Sequence, residues 1–209
     1  MIKKRPGSIS YSKNENPVIE IKVVLIGDPG VGKTNIINRF LSQEFNPSCN
    51  PTLGSSFGEK IIKKEKNIYK LKIWDTTGEE KYRSITKLFI KASHIVLLVY
   101  SIDNLESFHN LDIWYNYIDE QLSESDYILA IVGNKKDLIL SEVVTDEEGK
   151  NYAEKKGAFF QLTSAKCDEE GIISLFEKLL DELIKKYGER IMNDSLQMKN
   201  IKKEKKNCC

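Results

Sequence analysis

Residues 27–34, with the sequence GDPGVGKT, combine the residue types that a phosphate-binding loop needs. Glycines at positions 27, 30 and 32 omit the Cβ atoms that would keep backbone N–H groups away from a bound phosphate. Lys33 brings a positive charge, and the Thr34 hydroxyl can occupy one coordination site of Mg²⁺. The pattern G-x-x-x-x-G-K-[ST] therefore predicts a P-loop that binds a nucleoside triphosphate together with a magnesium ion.

The segments before and after this loop predict a strand and a helix, which is the context in which a P-loop occurs. Val18–Ile26 is an apolar run rich in β-branched residues, which predicts a buried strand. Residues 35–41 carry apolar side chains at helical spacing. A helix that begins directly after the loop points its free N–H groups and its positive dipole end at the ligand. This context favours a working loop over a glycine-rich turn that binds nothing.

The composition fits one soluble globular domain with a tail, since 40% of the 209 residues are hydrophobic and 30% are charged. The formal net charge of +1 conceals an uneven distribution. Residues 1–16 hold four basic side chains against one acidic, and residues 190–209 hold six against two, so the rest of the chain is about −6. The acidic body argues against a nucleic-acid partner, whereas the basic ends indicate contact with an anionic surface.

The cysteines and the apolar runs bound the cellular context. Cys49 and Cys167 stand alone and Cys208 and Cys209 end the chain, which predicts neither a disulfide framework nor a zinc site, and so a reducing compartment. Residues 1–17 are polar throughout, so we expect no signal peptide. No apolar run reaches the length of a membrane span.

Strand-like and helix-like segments alternate through the chain. Residues 55–64 and 68–75 predict a hairpin joined by a charged turn at 65–67. Further strands are predicted at 94–101, 127–133 and 158–162. Helices are predicted at 105–122, 146–156 and 171–187, with a short one ending near Ala92. The alternation predicts an α/β fold with a mostly parallel six-stranded sheet, one antiparallel edge strand and helices on both faces.

Four more elements follow the P-loop in order: Thr52, WDTTGEE at 74–80, NKKD at 134–137 and TSAK at 163–166. Together with the P-loop they resemble the guanine-nucleotide motifs of Ras-like small GTPases, over about residues 18–187. Within that superfamily, Phe57, the stretch KLKIWDTTGEEKYRSIT and the two terminal cysteines are similar to Rab proteins. The resemblance implies the small G-protein variety of the P-loop NTPase fold, with GTP, GDP and Mg²⁺ as ligands.

NKKD is the segment that would read the base. The Asp137 carboxylate can accept hydrogen bonds from guanine N1–H and the 2-amino group, whereas adenine offers neither donor there. A buried carboxylate left unpaired costs several kcal/mol, so the preference for guanine is expected to be strong. The resemblance further implies that Asn134 bridges the base and the loops and that Lys135 packs along the nucleotide.

TSAK would complete the base site according to the same resemblance. The backbone N–H of Ala165 would meet guanine O6, with Ser164 and Lys166 supporting the loop. Phe45 matches the aromatic residue expected near the edge of the guanine ring. The other nucleotide contacts expected from the matched motifs are Asp28, Pro29, Gly30, Val31, Gly32, Lys33, Thr34, Asn35 and Leu138.

The metal and the terminal phosphate involve four positions. The resemblance implies that Asp75, Thr34 and Thr52 hold Mg²⁺, with Asp75 usually acting through water. The Gly78 N–H would bond the γ-phosphate. When that phosphate leaves, Thr52 and Gly78 lose their partners, and the loops around them relax into a different surface.

Glu79 departs from the family pattern, which has glutamine where the attacking water is oriented. A carboxylate can accept a hydrogen bond from that water but cannot donate one to the developing charge, and it adds negative charge nearby. It is also a better base than an amide, so the net effect on rate stays open. Expected catalytic groups are Glu79, Lys33 and Gly78. Pro29 is a second departure from the family pattern and lies in the part of the P-loop near the γ-phosphate. Proline fixes the backbone angle φ and has no N–H to donate there.

Phe57, Trp74 and Phe89 resemble the aromatic triad through which Rab proteins contact effectors, although ordinary core packing explains any one of them alone. The chain from about Glu189 to Asn207 lacks a sustained apolar face and is rich in lysine and asparagine, which predicts a flexible linker. Cys208 and Cys209 resemble the Rab signal for double geranylgeranylation, which with the lysine-rich tail would anchor the protein to an anionic leaflet.

These features divide the chain into a polar N-terminal extension (1–17), a GTP-binding domain (18–187) and a flexible basic tail with a prenylation signal (188–209). The resemblance implies a monomeric GTPase switch in vesicle traffic, on the cytosolic face of an intracellular membrane with a cytosolic inhibitor-bound pool. Implied partners are an exchange factor, a GTPase-activating protein, effectors, a GDP-dissociation inhibitor and a prenyltransferase with its escort. Two alternatives stay open: a hydrolysis-poor, largely GTP-bound membrane scaffold, favoured by Glu79, and a P-loop kinase or ATPase, opposed by NKKD and TSAK.

Overall fold

The computed structural model describes residues 18–48, 52, 55–78, 83–123 and 125–206. Its centre is a six-stranded sheet in the order β2-β3-β1-β4-β5-β6. The strands are β1 (Val18–Ile26), β2 (Ser55–Lys64), β3 (Asn67–Thr76), β4 (Ile95–Ser101), β5 (Ile128–Asn134) and β6 (Phe159–Leu162). β2 pairs antiparallel with β3, and the other neighbours are parallel. The predicted α/β class and its single antiparallel edge strand are therefore confirmed.

Six α-helices lie between or after the strands in the described part of the chain. They are α1 (Lys33–Ser42), α2 (Arg83–Ile90), α3 (Leu105–His109), α4 (Leu111–Leu122), α5 (Asp146–Lys155) and α6 (Glu169–Lys206). A 3₁₀ helix, Lys136–Ser141, follows β5 directly and was not predicted. Because all parallel strands run the same way, the loops after β1, β4, β5 and β6 emerge at one edge of the sheet, where ligands of such folds bind.

The core consists of two apolar layers, one on each face of the sheet. Alternate residues of β1 enter different layers: Ile21 and Val23 pack with α1 and α6, whereas Val24 and Ile26 pack with α4. Every residue of β4 and β5 is buried, as expected for parallel strands covered on both faces. Burial of both faces fixes the register, so the carboxyl ends of the strands are held in place.

The single helix predicted for 105–122 is wrong, because two helices meet at Asn110. The Asn104 side chain caps the short α3 by accepting from the Ser107 N–H. The Asn110 side chain points back toward β1 and donates Nδ2 to Asp28 Oδ2 at 2.8 Å. The helical periodicity of the sequence does not reveal this break, because apolar residues continue on one side through both helices.

The closing helix is longer than predicted. The sequence predicted an end near Tyr187 and a flexible linker beyond it, whereas α6 continues to Lys206. Ile191 and Met192 pack against the first core layer and carry the helix past Gly188. The residues beyond are mostly helix formers, and lysines near a helix C-terminus offset its negative dipole end. Within the described residues, no helix is long and apolar enough to span a membrane.

The rings of Phe40 and Phe176 stack between α1 and α6, with centroids 3.9 Å apart. Replacing Phe176 by alanine should lower the free energy of unfolding by about 3–5 kcal/mol, because it leaves a cavity between two fully buried positions. Phe176→Leu keeps most of the volume and should cost clearly less. Denaturant unfolding measures both, and equal losses for the two variants would contradict this packing of α1 against α6.

Candidate functional site

The loops at the carboxyl edge of the sheet enclose a cavity of about 410 Å³. This lies within the range of roughly 300–1,000 Å³ typical of small-molecule sites. The predicted residues that line it are Pro29, Gly30, Gly32, Lys33, Thr34, Asn35, Phe45, Thr52, Asn134, Lys135, Asp137, Leu138, Ala165 and Lys166. Residues predicted from motifs more than 130 positions apart thus meet around a single cavity.

The phosphate loop ends at Gly32, which begins α1 as its N-cap with a φ of 97°. A Cβ atom at this position would lie 2.3 Å from Asn134 Nδ2, so both the conformation and the close contact require glycine. Glycine also has no side chain with which to occupy the first N–H groups of α1. The helix therefore presents free donors and its positive dipole end to the cavity, which suits an anionic ligand.

Lys33 lies beneath the loop and is only 5% exposed. Its Nζ donates to Gly27 O at 2.8 Å and to Asp28 O at 2.7 Å. Burial lowers the pKa of Lys33 to about 8, although the charges of Asp75 and Asp28 act in the opposite direction. The ammonium is thus poorly compensated within the protein, and the negative charge of a phosphate would restore its ordinary pKa.

Asp75, at the end of β3, is fully buried with the hydroxyls of Thr34 and Thr52 against it. Its Oδ2 accepts from Thr34 Oγ1 at 2.6 Å and from Thr52 Oγ1 at 3.2 Å. No described residue donates to its Oδ1. Burial raises the pKa of Asp75, while the hydroxyl hydrogen bonds and Lys33 lower it. The Asp75 carboxylate thus has one oxygen without a donor among the described residues, and two hydroxyl groups lie beside it. This set of oxygen atoms fits Mg²⁺, which prefers oxygen ligands and retains waters.

Gly78 lies against the phosphate loop in a left-handed conformation with a φ of 74°. A Cβ atom there would lie 2.5 Å from both Gly27 O and Lys33 Nζ. Only glycine brings the backbone this close to the lysine that the resemblance assigns to the phosphates. Glu79, the predicted water-positioning residue, lies outside the described residues.

Asn134 joins the phosphate loop to the two loops predicted to read the base. Its Nδ2 donates to Val31 O at 2.8 Å, and its Oδ1 accepts from the Ala165 N–H at 3.2 Å and from Thr163 Oγ1 at 3.3 Å. The N–H predicted to meet guanine O6 is therefore used within the protein here. Asn134 is buried, and these bonds satisfy its amide on both sides.

Asp137 is held by the neighbouring TSAK loop. Its Oδ1 accepts from Ser164 Oγ at 2.6 Å, and Lys166 Nζ lies 3.9 Å from its Oδ2. Lys135 adopts a left-handed conformation with a φ of 64°, and its Nζ lies 3.7 Å from Asp103 Oδ1. Contacts within the protein thus orient the carboxylate that would recognise guanine.

Several predicted residues support the cavity without lining it. The Asp28 carboxylate accepts from Trp114 Nε1 at 2.7 Å and from Asn110 Nδ2 at 2.8 Å, so it anchors the phosphate loop to α4. The Val31 side chain belongs to the core, and Ser164 is buried behind Asp137. The backbone carbonyl groups of Asp28 and Val31 accept from Lys33 and Asn134, respectively.

Three lining residues were not predicted: Pro47, Thr76 and Thr77. Thr76 and Thr77 belong to the WDTTGEE motif, so the motif itself contained the signal, whereas Pro47 follows Phe45 in a loop without a pattern. Thr76 Oγ1 donates to Leu25 O at 2.8 Å and joins β3 to β1 just below the cavity.

The predicted aromatic triad is assembled on the surface beside the cavity loops. The ring centroids of Phe57 and Trp74 are 4.8 Å apart, and those of Trp74 and Phe89 are 4.9 Å apart. Phe57 is 48% exposed, which an ordinary core residue would not be. Cys208 and Cys209, the predicted lipid attachment sites, lie outside the described residues.

Comparison with known proteins places these motifs in context. A model of the Ras family matches residues 22–185. The Ras-related protein Rab-17 of Mus musculus is 36% identical over 168 residues, covering 80% of this chain and 78% of the relative. The Ras-related protein RGP2 of Oryza sativa subsp. japonica is 39% identical over 162 residues (78% and 74% covered). The Ras-related protein Rab-22A of Homo sapiens is 39% identical over 147 residues (70% and 75% covered).

The buried ammonium of Lys33 makes the stability of the nucleotide-free protein depend on pH. Its folded pKa of about 8 lies below the ordinary 10.5, so the unfolded chain binds more protons between these values. The free energy of unfolding should therefore rise from pH 8 to pH 10 in the natural protein, relative to Lys33→Met. Urea unfolding of both proteins measures the difference.

GDP provides the control, since its phosphates should keep Lys33 charged and remove the rise. A difference between the two nucleotide-free proteins that stays constant from pH 7.5 to pH 10 would show that the ammonium is not desolvated.

Proposed function

The chain belongs to the Ras family of small GTPases, and we propose that it acts as a Rab-like switch that exchanges GTP and GDP in the cavity described above. The predictions of the family and of GTPase activity are confirmed by this membership. The members of the family bind GTP and GDP. The residue roles, the metal, the membrane anchor and the partners are the content of the proposal.

One observation carries the proposal: the P-loop and the NKKD and TSAK loops face a single cavity, and the buried Asp75 carboxylate accepts from Thr34 and Thr52, which line it. One end of the cavity offers a buried cation and the free N–H groups of α1. The other offers an oriented carboxylate, Asp137, that can accept two hydrogen bonds. A guanine nucleotide has anionic phosphates at one end and two adjacent donors at the other, so its chemistry matches both ends.

The hydrolytic step is water attack on the γ-phosphorus of GTP, which breaks the β–γ phosphoanhydride and releases GDP and phosphate. Lys33 and the backbone N–H groups of residues 30–34 neutralise negative charge on the phosphates, and the Gly78 N–H bonds the terminal phosphate. Thr34, Thr52 and Asp75 would hold Mg²⁺, which supplies further charge neutralisation when bound. In the sequence motif, Glu79 stands where the family has the glutamine that orients the attacking water.

The switch depends on two groups that contact the terminal phosphate side of the cavity. Thr52 and Gly78 lie on separate loops, and each would lose a partner when the γ-phosphate leaves. Phe57 and Trp74 lie on β2 and β3, the strands next to Thr52 and Gly78 in the sequence, so a change in the conformation of these loops would change what effectors can bind. Exchange factors and GTPase-activating proteins are the regulators that such a cycle requires.

Membrane attachment is proposed at the C-terminus of the chain. Prenyl groups on Cys208 and Cys209 would provide the two hydrophobic signals needed for stable anchoring, with a prenyltransferase and its escort to add them. Lys202, Lys203, Lys205 and Lys206 add attraction to an anionic leaflet. The protein would then work on the cytosolic face of an intracellular membrane, and a GDP-dissociation inhibitor would extract a pool of it into the cytosol. In this proposal the chain has three parts: an N-terminal extension (1–17), the switch domain (18–187) and the membrane anchor (188–209).

A largely GTP-bound scaffold is the second candidate, and Glu79 is the observation that favours it. A carboxylate near the γ-phosphate repels the developing charge, whereas a glutamine amide can donate to it. Such a protein would recruit the same partners through the same surface but would rarely switch off.

Single-turnover GTP hydrolysis with Mg²⁺ tests both candidates. We expect the natural protein to hydrolyse GTP and Glu79→Gln to do so roughly tenfold or more faster, because the amide restores one hydrogen-bond donor at the transition state. Glu80→Gln is the matched control, since it removes the same charge one residue away and should leave the rate unchanged.

Hydrolysis that is at least as fast with Glu79 as with glutamine would show that the carboxylate positions the water effectively. Absence of turnover in the natural protein, with or without cell extract as a source of activating protein, would favour the scaffold.

A further inference from the structure

Arg39 connects the phosphate-binding helix to the TSAK loop and was not singled out by any motif. It lies in the last turn of α1, and its side chain is only 14% exposed. Arginine in a last helical turn ordinarily serves the helix itself, by neutralising the dipole or bonding the final carbonyl groups. Its Nη1 does this by donating to Gln43 O at 2.6 Å.

The other nitrogens of the guanidinium reach a loop 126 residues away in sequence. Arg39 Nε donates to Ala165 O at 2.9 Å, and Nη2 donates to Lys166 O at 2.9 Å. Nη1 also lies 3.6 Å from Glu169 Oε2, at the start of α6. The planar fork thus holds two consecutive carbonyl groups with charge-assisted hydrogen bonds, an arrangement that a lysine ammonium cannot reproduce.

These two carbonyl groups belong to the residues that line the base end of the cavity. Ala165 is 3% exposed, and both Ala165 and Lys166 line the cavity. Fixing a carbonyl oxygen fixes the plane of its peptide group, and with it the direction of the N–H of the next residue. The Lys166 N–H shares its peptide with Ala165 O, so Arg39 orients a donor that lies beside the one of Ala165.

We propose that Arg39 is a positioning residue for base recognition, which holds the peptide between Ala165 and Lys166 so that the Lys166 N–H addresses the 6-keto oxygen of guanine. The inference rests on the proposed function, since it requires a guanine nucleotide in the cavity. Asp137 reads the opposite part of the base edge from the NKKD loop. It is contacted by the side chains of Ser164 and Lys166, whereas Arg39 bonds the backbone carbonyl groups of Ala165 and Lys166 and makes no hydrogen bond to Asp137. Loss of Arg39 should therefore weaken recognition of the 6-position more than recognition of the 2-amino group.

The test compares three nucleotides that differ at one position of the base. GDP is complete, 6-thio-GDP replaces O6 by the weaker acceptor sulfur, and IDP lacks the 2-amino group. Each displaces a fluorescent GDP analogue from the natural protein, from Arg39→Lys and from Arg190→Lys. The last variant is the matched control, because Arg190 pairs with Asp126 on the surface away from the cavity.

We expect Arg39→Lys to bind GDP about tenfold more weakly, as suits the loss of hydrogen bonds to a charged donor. Its preference for GDP over 6-thio-GDP should fall at least threefold, while its preference for GDP over IDP stays within about twofold of the natural value. Arg190→Lys should match the natural protein in all three affinities.

If Arg39→Lys lowers the affinity for all three nucleotides equally, Arg39 has only a general structural role and the proposal is wrong. Unchanged affinity for GDP would also overturn it. If Arg39→Lys does not fold, Glu169→Gln replaces it, since it loosens the guanidinium while both carbonyl groups keep their donor. A loss of about twofold or more in the GDP to 6-thio-GDP preference is then expected, and an unchanged ratio overturns the proposal. Failure of the natural protein to bind GDP refutes the proposed function itself and is visible before any variant is measured.

Discussion

A buried ammonium and a buried carboxylate, placed beneath a loop of backbone donors, are the constraint around which the molecule is built. Lys33 is 5% exposed and Asp75 is fully buried, and among the residues that the structure describes neither forms an ion pair with an opposite charge. Burial shifts the pKa of each toward its neutral form. Burying these two charged groups without a ligand costs free energy. Buried ionisable groups with shifted pKa values cluster at functional sites.

The sheet and its loops keep these groups in place at two levels. Burial of β4 and β5 on both faces fixes the carboxyl ends of the strands from which the loops emerge. Asn134 then joins the phosphate loop to the TSAK loop, and Asp28 anchors the phosphate loop to α4. The base end is thus braced by hydrogen bonds within the protein. Thr52 and Gly78, at the phosphate end, lie on loops next to residues that the structure leaves undescribed.

The motifs pointed to residues that the fold brings to one cavity, because motifs encode local requirements. Gly32 and Gly78 have positive φ values and close contacts that no other residue satisfies, so their spacing in the sequence is diagnostic. Strand and helix periodicity likewise predicted the α/β fold and the antiparallel edge. What the sequence did not reveal depends on tertiary contacts: the break at Asn110, the fork of Arg39 on the TSAK loop and the extension of α6 to Lys206. Each depends on a partner distant in sequence, on core packing or on helix propensity. The flexible linker was predicted because the segment lacks a sustained apolar face and is rich in lysine and asparagine.

The central claim is that one cavity reads both guanine and its phosphates, and nucleotide competition tests it most directly. With fluorescent GDP bound in the presence of Mg²⁺, we expect GDP and GTP to displace it at equimolar concentration. ADP and ATP should fail at a thousandfold excess or so, because they would leave the Asp137 carboxylate unpaired. Displacement by ATP at a concentration similar to GTP would contradict the account and would make this chain a P-loop protein without guanine recognition.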